Sequence, residues 1–331
     1  MFKKCVYLVT AIVFISISSN SHAIERAFEK YAHIYHEKLM SGNFDELEID
    51  AKNARESKSM ISDGQPLLAA IYGGVSGCEF QSCNFPKTLS EWIEKEKKLE
   101  SWLEEKPDSV TAQVAYASFF IELGWFHHGG GYSNSVSKES WGLFHTNIEK
   151  SRGLLLALPE KAKKDAGWLY SMSSIALHQG WPEIEFNKIF SEAISIHPTY
   201  IPTYFIKSAY MEPKWYGSHD KFNQYVEEVV ALTKPFLGNQ MYARLHWSSS
   251  GSKLFRSGRT DWEKMKLGFE ELVAKHPDKW NLNNYAKFSC LAGDVNKLKK
   301  LVHLIDGKPL KSAWFNSLEF YNRCEAFSKR S

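Results

Sequence analysis

The chain has 331 residues and a formal charge of +3, from 41 lysines and arginines against 38 aspartates and glutamates. That near balance lacks the basic footprint by which proteins hold nucleic acid or an anionic membrane. The length is ample for a real hydrophobic core.

Residues 1–23 read as a signal peptide. Lys3 and Lys4 supply the positive start, Val6 to Ile17 is apolar apart from Thr10 and Ser16, and Ser21-His22-Ala23 sets small residues where signal peptidase reads. The expected mature chain begins at Ile24 and is exported, periplasmic or secreted. No later stretch approaches the roughly 20 apolar residues of a membrane span. Residues 24–331 are expected to form a single α-helical, repeat-like domain, with subdivisions near 106 and 237.

Helical periodicity starts at once. Ile24, Ala27, Phe28, Tyr31, Ile34, Tyr35 and Leu39 recur in steps of three and four along one face. His33 and His36 on this helix are spaced i, i+3 but lack the H-E-x-x-H arrangement of a zinc helix, and no metal is expected. Cys78 and Cys83 follow. With Cys290 and Cys324 they make an even count for an oxidising compartment, so Cys78–Cys83 and Cys290–Cys324 bridges are predicted.

Trp92, Leu99, Trp102 and Leu103 mark a second amphipathic helix, and Val110, Val114, Ala117 and Ile121 a third. The third runs into WFHHGGGY (125–132), which resembles the oxyanion loop of lipases and esterases. Such a loop works with a G-x-S-x-G serine on a strand-to-helix turn, and this chain has none. A glycine run after a helix is more simply a helix terminus with positive-φ turns. Trp125 is expected to anchor it near Trp141 or Phe144. No G-K-[ST] follows, so a phosphate cradle is not supported. The next helix should start near Ser137 or Lys138.

Further helical faces run through Ala166, Leu169, Ser173, Ala176 and Leu177, then Phe186, Ile189, Phe190, Ala193 and Ile194, then Val295, Leu298, Leu301, Val302 and Ile305. Gly180-Trp181-Pro182 and Gly293-Asp294 punctuate them, with Asp294 placed as an N-cap. No sustained period-two run appears, so no sheet is predicted. Three segments share one grammar: WLEEKPDSVTAQVAYA (102–117), AISIHPTYIPTYFIKSAY (193–210) and ELVAKHPDKWNLNNYAKFSCLAGD (271–294). In each a proline closes one helix and small residues let the next pack closely. Pro107, Pro198 and Pro277 stand much further apart than the roughly 34 residues of a regular tetratricopeptide array. The expectation is all-α: antiparallel helix pairs stacked as a short, irregular, tetratricopeptide-like α-solenoid.

On these segments, with GGGYSNSVSKESWGLF (129–144) and QGWPEIEFNKIFSEAISIHPTYIPTYFIKSAYMEPKWYG (179–217), the chain resembles an uncharacterised bacterial family classed as a domain of unknown function and built like tetratricopeptide proteins. In that family an Arg-Gly pair precedes the GY turn, where His127 and His128 stand here. The resemblance implies an α-helical fold and no activity.

Two functional readings remain. The first is a non-catalytic exported protein that binds a protein or peptide partner in the periplasm without a cofactor, using an aromatic surface to which Trp125, His127, His128, Tyr132, Tyr204 and Trp215 contribute. The alternative is a hydrolase acting on cell-envelope material, with His127, His128 and Glu122 as its acid/base set.

Overall fold

The computed structural model describes residues 26–77, 86–129, 135–249 and 254–329. Residues 1–23, read from the sequence as a signal peptide, and Tyr132, Cys78 and Cys83 lie outside them. Sixteen α-helices run through the described residues: α1 (Ala27–Met40), α2 (Phe44–Ser57), α3 (Leu67–Val75), α4 (Leu89–Glu105), α5 (Val110–His128), α6 (Lys138–Ala157), α7 (Glu160–Lys163) and α8 (Ala166–His178) in the first half. The second half adds α9 (Glu183–Ile196), α10 (Pro202–Tyr210), α11 (His219–Leu237), α12 (Gln240–Ser249), α13 (Trp262–Lys275), α14 (Lys279–Ala292), α15 (Val295–Ile305) and α16 (Leu318–Ser328). Among the described residues the sole β feature is an isolated bridge between Met60 and Pro66. The fold is all-α, as predicted.

Helix ends follow local chemistry. Thr88 and Glu91 form a capping box at the start of α4. Ser109, Ser137, Asp165, Asp261, Asp278 and Asp294 each accept a backbone N–H at the start of their helices. Asp294 therefore caps α15 as its position after Gly293 predicts.

Two kinds of helix alternate. One kind buries one stripe: α4 buries Trp92, Lys95, Leu99 and Trp102, and α15 buries Leu298, Leu301 and Ile305. The other kind is covered more nearly all round. In α8 every residue but Tyr170 is buried, and in α10 every residue but Phe205. The covered helices α3, α5, α8, α10 and α12 touch one another in succession, while α6, α9, α11, α13 and α15 each pack against a sequence neighbour. This is a stack of helix pairs with a covered inner row and an amphipathic outer row. The apolar core changes hands inside α8, where Ile175 belongs to one cluster and Ala176 to the next. Residues 106 and 237 are the turn between α4 and α5 and the end of α11.

The stack curls onto itself. The turn at 59–66 leaves the N-terminal half and docks on α12 and α14. Ser62 Oγ donates to Asp278 Oδ2 at 2.7 Å, and Asn281 Nδ2 donates to the Asp63 carbonyl at 3.1 Å. At the other end, Cys290 of α14 and Cys324 of α16 form the predicted disulfide, with Cα atoms 5.7 Å apart. Among the described residues no helix is long and apolar enough to cross a membrane.

Candidate functional site

Helix α5 ends at His128, and Gly129 stops it with a φ of +73° while its N–H donates to the Trp125 carbonyl at 3.0 Å. The start of WFHHGGGY is thus a helix terminus, as the sequence predicts; residues 130–134 lie outside the described chain. Trp125 meets Phe144 edge-on, with ring centroids 5.1 Å apart, and lies 5.2 Å from His178. His178 in turn lies 5.9 Å from Trp215. His128 is packed in the same group, 4.9 Å from Trp125 and 4.6 Å from Trp141. The fold therefore joins Trp125, His128 and Trp215 through His178, a residue that the sequence reading passed over.

Other members of the expected set stand apart. His127 lies against Phe126 at 5.5 Å, about 100° round the helix from His128. Tyr204 needs correction. It is fully buried, its hydroxyl donates to the Pro198 carbonyl at 2.8 Å, and its ring meets Phe190 in the core. It closes the turn before α10 and offers nothing to a surface ligand. Glu122 sits about 140° and 120° round α5 from His127 and His128. It lines a separate crevice with Gly73 and Ser171. Among the described residues neither His127 nor His128 pairs with a carboxylate, and no group of three or more His, Cys, Asp or Glu is arranged to hold a metal.

Three of the cavities among the described residues bear on the question of a site. The crevice beside Glu122 has a volume of about 60 Å³, room for a few waters. A second, of about 400 Å³, contains Arg55 and Asp165. Its Arg55 and Asp165 are matched to each other, within a lining that also carries Lys52, Lys58, Lys161 and Lys164: Arg55 Nε donates to Asp165 Oδ2 at 2.6 Å, Arg55 Nη2 to the Tyr72 hydroxyl at 2.9 Å, and that hydroxyl to Asp165 Oδ1 at 2.7 Å. This closed triad needs no ligand to satisfy it.

The third cavity, about 300 Å³, lies where the 59–66 turn meets α10, α12 and α14. That volume reaches the small end of ligand pockets. Arg244 forms one wall. It is 3% exposed, and its hydrogen bonds are two contacts of 3.2 Å from Nη2 to the carbonyls of Asp63 and Gly64. Its Nε has no hydrogen-bond partner among the described residues, and no carboxylate forms an ion pair with it. A guanidinium carries five donors in a planar fork, so most of this one's capacity is unused. Burial lowers its pKa to about 10, with the nearby Asp63 opposing the shift; it stays charged at neutral pH.

Local sequence explains the wall opposite. Asp63 Oδ1 accepts from the Gln65 amide at 3.0 Å, closing an Asx-type turn. Gly64 takes a φ of +78°, and a Cβ there would come within 2.5 Å of Arg244 Nη2 and 2.7 Å of His276. The turn's carbonyls thereby reach the guanidinium. Burial raises the Asp63 carboxyl above its ordinary range, although the Gln65 amide and Arg244 pull it down. Gln65 Oε1 is a second buried atom without a hydrogen-bond partner among the described residues. Trp247 and Trp280 complete the cavity with rings 5.7 Å apart, and the Arg26 guanidinium sits 4.2 Å from the Trp280 ring centre.

The pocket leaves little trace in the sequence. Arg244 stands in QMYARLHWSS, where a lone arginine on a short helix reads as a solvated charge. The only local signal was Asp63-Gly64, a turn dipeptide. No protein-family model, curated protein or solved structure matches the chain.

Proposed function

We propose that this is an exported, non-catalytic helical-repeat protein that binds a peptide or protein segment, and that it belongs with the tetratricopeptide-like bacterial family its segments resemble. The observation carrying this reading is the pocket between the 59–66 turn and α12–α14. It combines two tryptophans with a buried arginine whose donors are largely unspent. Small polar neighbours such as Ser208, Ser248 and Asn281 line it as well. Aromatic walls with a few convergent polar groups suit retention of a ligand. The histidines of the hydrolase alternative are packed against rings or separated from Glu122, which favours binding over turnover.

The test places a photo-crosslinking amino acid at Ser248, inside the pocket, or at Lys97, on the outer row, and exposes each protein to a random peptide library. Peptides should be recovered intact from the Ser248 protein and not from the Lys97 protein. Equal capture at both positions, or recovery of cleaved peptides, would refute the reading. Periplasmic residence is checked separately, by N-terminal sequencing of exported protein, which should begin at Ile24.

A further inference from the structure

We infer that the Arg244 pocket is a carboxylate-recognition site, built for the C-terminal residue of a peptide. This deepens the peptide-binding reading and rests on it for the source of the carboxylate, though not for the site itself.

Three features of the cavity each match one feature of that ligand. Arg244 offers Nε–H and unspent Nη donors to a planar anion, and a buried guanidinium without an ion pair gains most from acquiring one. Gln65 lines the same cavity, and its Oε1, a buried acceptor without a hydrogen-bond partner among the described residues, suits the amide N–H next to a terminal carboxylate. Trp247 and Trp280 supply an apolar wall for the last side chain.

Charge decides between a carboxylate and a phosphate. The pocket's cations are Arg26, Lys214 and Arg244, and its carboxylates are Asp63 and Glu212. Arg26 already pairs with Glu29 at 3.4 Å, and Lys214 with Glu212 at 2.9 Å. That leaves Arg244 and Asp63, one positive group and one acid, a balance that weighs more heavily against a dianion than against a monoanion. A phosphate dianion would meet the Asp63 carboxyl with too few donors to offset it.

The test is calorimetric titration with four probes: the tripeptide acetyl-alanyl-alanyl-phenylalanine as free acid, the same peptide as its amide, 3-phenylpropionate, and inorganic phosphate. The free acid should bind roughly tenfold or more tightly than the amide, the ratio expected from a charge-assisted hydrogen bond. Phosphate should not bind. Arg244→Gln should abolish the acid preference. Because that variant removes a buried side chain, Lys214→Ala provides a second reading at an exposed position, and it should weaken acid binding while shifting the melting temperature little, since an exposed ion pair contributes little stability. Equal affinity for acid and amide overturns the carboxylate site while leaving peptide binding standing. Arg244-dependent binding of 3-phenylpropionate with neither peptide bound upholds the site and overturns its peptide source. Phosphate binding as strong as the acid's, or silence from all four probes, overturns the proposal.

Discussion

Ser62 and Asp278, 216 positions apart in the chain, share a hydrogen bond of 2.7 Å. Asp278 uses its other carboxylate oxygen to cap α14, accepting from the Trp280 amide at 2.8 Å. One acid thus fixes both the start of a helix and the turn that docks on it. In an open solenoid each repeat answers only to its neighbours; here an early turn is tied to a late helix.

The geometry of that turn is open to a paired test. Gly64→Ala must hold a left-handed φ and crowd Arg244, so it should cost about 2–4 kcal/mol. Gly42→Ala meets a similar φ of +75° with nothing within 4 Å of its Cβ, and should cost about 1 kcal/mol. Urea melts of the two proteins give the comparison. Equal losses would show that the approach to Arg244 is looser than described.

Removing the Cys290–Cys324 bridge should destabilise the C-terminal helix first. The two residues are 34 positions apart, and closing a loop of that length is worth about 4 kcal/mol in the chain-entropy model. A double serine variant should show faster amide exchange across α16, measured by mass spectrometry, while α3 to α8 keep their protection. Uniform loss across all helices would mean that the bridge supports the whole stack.

The end of α5 separates its two histidines. His127→Ala should stay within about 0.5 kcal/mol of the parent protein. His128→Ala should cost about 1 kcal/mol, because its ring is packed between Trp125 and Trp141. Trp125→Ala should cost roughly 2–4 kcal/mol, less than a fully enclosed tryptophan, since its ring is only partly buried. Thermal melts order the three variants. A His127 variant as damaged as the Trp125 variant would contradict the packing.

Stability should fall on mild acidification. Burial, aided by Lys264, lowers His246 to about 4, and burial, aided by Lys95, lowers His36 to about 3. In the unfolded chain both titrate near the ordinary value of about 6.5. Below that pH the unfolded state therefore binds more protons, and the stability present above it is lost as pH drops towards the folded values. His246 should contribute a slope of roughly 1 kcal/mol per pH unit between these limits. Denaturant melts at several pH values should show a shallower acid limb for His246→Phe. An unchanged limb would mean that His246 titrates freely in the fold.

Much of the architecture was legible because it is local. Leu298, Leu301 and Ile305 announce their helix by spacing alone, and Asp294 announces its start. Cys290 and Cys324 could be paired because the last helix returns beside the helix two before it, and an even cysteine count leaves few partners. Trp125 was correctly set against Phe144 for the same reason. Tyr204 was misplaced because an aromatic beside a turn looks the same whether its hydroxyl meets solvent or the Pro198 carbonyl. The Arg244 pocket was invisible for a stronger reason. Its parts come from Asp63, Arg244 and Trp280, and no periodicity connects a turn to a helix some 180 residues later.

Synthesis order gives this tie a further meaning. Arg26 and the 59–66 turn leave the ribosome long before Arg244, and Asp278 and Trp280 come later still. During that interval the carbonyls of Asp63 and Gly64 have no guanidinium to receive, and the Trp280 face that Arg26 covers does not yet exist. The N-terminal helices can pack among themselves as they emerge, yet no nascent chain stopped before α14 can possess the pocket. The pocket is therefore completed late, so the ligand proposed for it would distinguish finished molecules from incomplete ones.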